Sequence, residues 1–117
     1  MAARYHRSEL LSAKGLLAAL GSIFPEFGDE ELIREIEAGE ASLHAIMREF
    51  AYSFRAATST RAQLIDLASL VGQATAETDT LENAVGTCFL EHLHQIDRQG
   101  MLWEYLSPEV KAYVRRH

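Results

Sequence analysis

Residues 82–97, ENAVGTCFLEHLHQID, hold the chain's single cysteine, two of its five histidines and several acids. Cys88 and His92 are four apart, the spacing of a thiolate–imidazole pair on one helix face. On a helical wheel they fall inside an apolar stripe with Leu81, Ala84, Val85, Phe89, Leu93 and Ile96. A reactive thiol needs an electropositive, partly open setting, so Cys88 reads as a small core hydrophobe. Glu91 and His94 form one Glu-x-x-His step, and His94 with Asp97 forms another i, i+3 pair. A di-iron bundle uses Glu-x-x-His on two helices, with a further Glu from each of two others. The second step is absent. Glu40 and His44 are spaced by four and could serve one ion without completing that set. His44, Glu91 and His94 therefore stand only as weak ligand candidates, and no metal or cofactor is expected. Gly-x-Ser-x-Gly, His-Glu-x-x-His, the phosphate loop and Gly-x-Gly-x-x-Gly are all missing. The chain is read as non-enzymatic.

The elements that would carry these residues read at helical period throughout, with prolines only at 25 and 108. A first helix is expected from about Ser8 to Phe24, with Leu10, Ala13, Leu17, Leu20 and Phe24 on one face and Pro25 as its stop. A short second helix, about Asp29 to Ala38, turns Leu32, Ile33 and Ile36 inward and ends at Gly39. A third, about Ala41 to Ala57, aligns Leu43, Ile46, Met47, Phe50 and Phe54. A fourth opens with the capping box Thr60-Arg-Ala-Gln63 and aligns Leu64, Leu67, Ala68 and Val71. A fifth runs from Asp79 to about Arg98. A turn or two through Leu102, Trp103 and Leu106 leads to a last helix at Ser107-Pro108. The fold class is all-α: a compact bundle of about five main helices plus one or two short C-terminal ones, as a single domain over residues 1–117. On the expected fifth helix Leu90 points away from the stripe. Either that helix is buried on both sides or Leu90 belongs to a contact surface.

Charge is the sharper signal. Residues 26–40, EFGDEELIREIEAGE, carry seven acids and one base, so this segment alone equals the net −6 of the whole chain. Asp29, Glu30 and Glu31 suit a helix start, where the macrodipole favours anions. Glu35, Glu37 and Glu40 sit near the other end, where it disfavours them. Glu30, Glu31, Arg34, Glu35, Glu37 and Glu40 are the candidate partner-binding residues, facing a protein with a basic surface. Such a face argues against nucleic acid. Arg48, Tyr52 and Arg55, beside His44, form a secondary candidate face together with Leu90.

The 117 residues can bury a core without staples, and a 48% hydrophobic, 24% charged composition is that of a globular chain. One cysteine cannot form an internal disulfide, which fits a reducing compartment. Arg4, His6 and Arg7 precede a leucine-rich stretch, but Glu9 and Lys14 interrupt it, unlike a secretory leader. No stretch approaches membrane-helix length. A cytoplasmic location is expected.

Asn83-Ala-Val85…Phe89-Leu90-Glu91-His-Leu93, preceded by the acid-rich helix and followed by LSPEVKAYV, resembles a group of small uncharacterised bacterial all-helical proteins, some of them immunity-like. The resemblance spans about residues 24–114. It implies a cytoplasmic protein that works by binding another protein, such as an immunity protein neutralising a basic toxin. A small helical enzyme or metal-binding protein, and a structural homodimer, are the alternatives.

Overall fold

The structure, a computed structural model, describes residues 5–116; Arg4, named above in the reading of the N-terminus, lies outside them. Its elements are α1 (Arg7–Leu10), α2 (Ala13–Ile23), α3 (Glu30–Glu37), α4 (Leu43–Ser53), α5 (Arg61–Ala74), α6 (Thr80–Cys88), α7 (Leu93–Ile96) and α8 (Pro108–Arg116), with 3-10 turns at Ala56–Thr58, Leu90–His92 and Trp103–Tyr105. No strand is present among the described residues, so the all-α expectation holds.

Short polar side chains set where the helices start. Ser12, Asp29, Ser42, Thr60, Asp79 and Ser107 each accept the backbone N–H three residues on, at 2.8–3.2 Å. Each cap contributes about 1 kcal/mol. The capping box is complete, with the Thr60 N–H donating to Gln63 at 2.8 Å. α3 ends as expected at Gly39, whose φ of 74° suits glycine. Gly39 donates to Ile36 and Glu40 donates to Glu35, the paired bonds of a Schellman cap.

Two expected helices are broken. The first divides at Leu11–Ser12, because Ser12 caps a new helix. Gly15 permits the sharp join: a Cβ there would lie 1.8 Å from the Glu9 carbonyl oxygen. α2 then buries Leu16, Leu20 and Ile23, while Leu17 is only half-buried. The fifth helix stops at Cys88. Phe89 leaves helical geometry (φ −125°, ψ −62°), and a 3-10 turn leads into α7. The reason is burial. Phe89, Leu90 and Leu93 all reach the core, which a straight helix could not arrange, since neighbours sit about 100° apart. Burying one leucine is worth about 1.5–3 kcal/mol, more than the roughly 1 kcal/mol of a lost helical hydrogen bond. The third expected helix also ends early. α4 stops at Ser53, and Phe54 continues inward from extended backbone.

All five phenylalanines meet. Phe50 lies 5.3–5.6 Å, centroid to centroid, from Phe24, Phe27, Phe54 and Phe89. Round them lie Leu32, Ile46, Met47, Leu67, Leu81 and Val85 in one cluster, and α4 packs chiefly on α6. Away from this cluster in the sequence, Arg7 ties α5 to α6. Its guanidinium donates to both Asp79 carboxylate oxygens (2.6 and 2.7 Å) and to the carbonyls of Gln73 and Ala74 (3.0 and 2.9 Å). It thus caps the end of α5 and grips the cap of α6 at once. The Arg7 bond, then the Glu82 backbone N–H, holds the Asp79 carboxyl down at about 2, against an ordinary 3.8.

Phe50→Ala should cost about 3–5 kcal/mol in urea unfolding, because it empties the centre of the cluster. Arg7→Ala should cost about 1.5–3 kcal/mol, the range for hydrogen bonds to charged groups. Asp79 has a depressed folded pKa. Its contribution is therefore complete above about pH 4 and is lost as pH falls towards 2. Asp79→Asn keeps a capping oxygen and should remove that acid limb from a plot of stability against pH.

Candidate functional site: the acidic groove between α3 and α4

α3 is held by one apolar edge. Leu32 is buried and Ile36 half-buried. Ile33, expected inward, is 40% exposed, because so short a helix touches its neighbours along a single narrow line. The edge that faces α4 carries Glu31 and Glu35. Across from them α4 presents Ala45, Arg48, Glu49 and Ser53, and the loop before α3 adds Glu26, Phe27 and Asp29. Together they line a groove of about 420 Å³. Its floor is apolar, from Phe27, Leu32 and Ala45. Its walls hold five carboxylates (Glu26, Asp29, Glu31, Glu35 and Glu49) against one guanidinium, Arg48, a net −4. Among the described residues the only ion pairs within 4 Å are those of Arg7 with Asp79 and Glu77. The carboxylates of the groove are thus unneutralised by any close base.

Of the six candidate partner-binding residues, Glu31 and Glu35 line this groove. Glu30, Arg34, Glu37 and Glu40 are exposed outside it. Glu26, Asp29 and Glu49 join the groove without having been singled out. Glu26 and Asp29 lay within the counted acidic run. Glu49 had no signal in the chain, because only the packing of α4 beside α3 brings it there. Asp29 also serves as the α3 cap.

The secondary face does not hold together. α4 ends at Ser53, so Arg55 is not on the helical row. Its guanidinium instead donates to the carbonyls of Tyr52 and Phe54, both at 2.8 Å. His44 is bonded to Asn83 of α6 at 2.8 Å, and Arg48 turns to the acidic groove. Tyr52 alone stands free, 82% exposed. Leu90 is 2% exposed and belongs to the core, since the break at Phe89 rotates it inward.

The same break separates the residues that looked chemical. Cys88 is half-buried at the end of α6, and His92 is exposed on the 3-10 turn beyond it. Burial pushes the Cys88 thiol up, Arg48 opposes this, and Glu91 adds to it. Glu91 and His94 are exposed on different elements, the turn and α7, so their helical spacing is lost. Glu40 precedes α4 and so shares no helix with His44. Asp97 is a structural cap: it is buried and takes the backbone N–H groups of Leu102 and Trp103 at 3.0–3.1 Å. Among the described residues no three His, Cys, Asp or Glu side chains are grouped to hold a metal ion.

One pairing escaped the sequence altogether. Tyr113 of α8 donates to Glu82 of α6 and lies over Gly86, where a Cβ would meet its hydroxyl at 2.1 Å. Burial first, then the Glu82 bond, pushes the Tyr113 hydroxyl up to about 12. Chemically this is an anchor for the C-terminal helix.

Fold and groove define a class: an all-α domain whose most distinctive surface is an acid-walled cleft. The chain belongs to the DUF7674 family, a domain of unknown function, whose family model matches residues 17–117. Arg7 and α1 precede the matched stretch. No curated protein and no solved structure matches the chain.

Cys88 should label slowly with a thiol reagent near neutral pH and quickly once the chain is unfolded in urea. Rapid labelling of the folded protein would show the thiol to be activated, contrary to its raised pKa. Cys88→Ser should cost about 1 kcal/mol or less, because the site is half open to water.

Proposed function

We propose that this chain is a non-enzymatic, cytoplasmic protein-binding domain that receives a partner with a basic surface on the α3–α4 groove. Its mode of action is that of an immunity protein occluding a basic toxin. The observation that carries this is the groove itself: five carboxylates and one guanidinium round an apolar floor, with no close base to neutralise them. Like charges crowded in a concave site repel one another, and field lines focus there. A cationic partner relieves that repulsion and is drawn in faster than diffusion alone would bring it. Nucleic acid, as a polyanion, is repelled by the same field. The apolar floor supplies the burial that holds the partner once it has arrived.

The test is capture from extracts of the native cell on immobilised chain, with the bound protein identified by mass spectrometry. The expected partner is basic and is retained at low salt. It is released as salt rises, since charges are screened beyond about 8 Å at physiological ionic strength. It is not retained by the Glu31→Lys, Glu35→Lys variant, and Glu37→Lys, Glu40→Lys should behave as wild type. Both pairs should leave thermal stability nearly unchanged, exposed charges contributing about 0–1 kcal/mol. Expression of the captured partner alone should harm the cell, and co-expression of the chain should relieve it. A partner held equally by all three proteins at every salt concentration would overturn the groove as the binding face.

A further inference from the structure

The acid-walled groove does not end at α3. At Glu26, Phe27 and Ser53 it adjoins a second cavity of about 360 Å³, these three residues lining both. The second cavity has a largely polar lining that encloses an aromatic patch. Phe24 and Phe27, half-buried, form its open side, and the buried rings of Phe50 and Phe54 lie behind them. Phe24 and Phe27 come from the short run Phe24-Pro25-Glu26-Phe27, which places one exposed carboxylate between two rings.

Most of the polar side chains round this second cavity are already hydrogen-bonded within the fold. Gln63 completes the capping box and donates to the Ile23 carbonyl at 3.0 Å. Arg55 caps α4, and Ser53, Thr58 and Ser59 donate to carbonyls of Phe50 and Arg55. What the cavity offers a newcomer is therefore an aromatic patch flanked by two charges that make no close ion pair, Glu26 and Arg55. The adjoining groove offers carboxylates. An occupant that matches both carries cations at one end and an apolar group at the other.

Resting on the reading of the groove as a partner-binding surface, we propose that it takes a short basic segment of the partner that also bears an exposed apolar side chain. That side chain seats on Phe24 and Phe27, and the segment's cations lie along Glu26, Glu31, Glu35 and Glu49. The charges govern how fast the segment arrives. The apolar side chain governs which basic segment stays, because burial rather than surface charge supplies retention.

The experiment uses two short arginine-rich peptides of equal charge, one with leucine and one with serine at the centre. Their binding to the full chain is measured by fluorescence anisotropy at low salt. The leucine peptide should bind about tenfold more tightly, the worth of one well-buried aliphatic side chain. Ser53→Phe, which plugs the junction from an exposed position, should abolish that difference. Glu31→Lys, Glu49→Lys should weaken both peptides alike. Independently of any variant, the ring resonances of Phe24, which lines the second cavity alone, should shift on adding the leucine peptide and not the serine one. Equal affinities for the two peptides, or shifts confined to the acidic end, would overturn this inference and leave a groove that reads charge alone. Binding of neither peptide would overturn the groove as a site for basic partners, and this inference with it.

Discussion

Phe50 touches every other phenylalanine of the chain, and much of the architecture follows from that meeting. Phe24 and Phe27 come from the loop after α2, Phe54 from just beyond α4, and Phe89 from the break after α6. Three of the four partners thus lie where helices stop. Aromatic rings bury large areas and hold defined edge-to-face or tilted geometries, so a cluster of them can set where a helix must end. Phe54 reaches the cluster only if α4 gives way to extended chain at Phe54. Phe89 and Leu90 reach the core together only if α6 gives way to a 3-10 turn. The local cost is a few helical hydrogen bonds, and the gain is burial of large side chains.

The same cluster shapes the acid-walled groove. Because Phe24 and Phe27 pack from a loop instead of a helix, α3 is set beside α4 with a trough between them. Leu32 and Ile36 hold α3 in place, and its acidic edge turns inward to the trough. A helix so charged has little to pack with, which is why it keeps Ile33 partly in water and leaves its acids without close bases. Arg7 treats charge in the opposite way. It is drawn in, and its guanidinium is bonded to Asp79, to the end of α5 and to Glu77. One region thus satisfies its charges internally, and the other displays them.

The helix starts at Asp29, Thr60, Asp79 and Ser107 were legible because capping is local, whereas the start at Ser12 was not. A Ser, Thr or Asp needs only the N–H three residues on, and that distance is fixed by the chain. The Schellman cap at Gly39 and the Thr60–Gln63 box belong to the same class, as does the concentration of charge in residues 26–40. Helix continuity was not legible. Periodicity carried the fifth helix past Cys88, and every inference from the wheel beyond that point was rotated with it. A straight helix turns Leu90 outward, sets His92 inside the stripe and makes Glu91 with His94 one helical step.

The sequence by itself therefore determined the all-helical class, the capped starts at Asp29, Thr60, Asp79 and Ser107, the apolar faces of α4 and α5, and the quantity and rough address of the acidic charge. Each of these depends on neighbours within about one turn, whose geometry the backbone imposes. The tertiary structure alone decided where helices break, which acids share a groove, and that Glu49 joins Glu31 and Glu35 while Glu37 and Glu40 do not. It also decided that Arg7 grips Asp79 and that Tyr113 rests on Gly86. Those are contacts between residues distant along the chain, set by which large side chains must be buried together, and no period in the sequence encodes them.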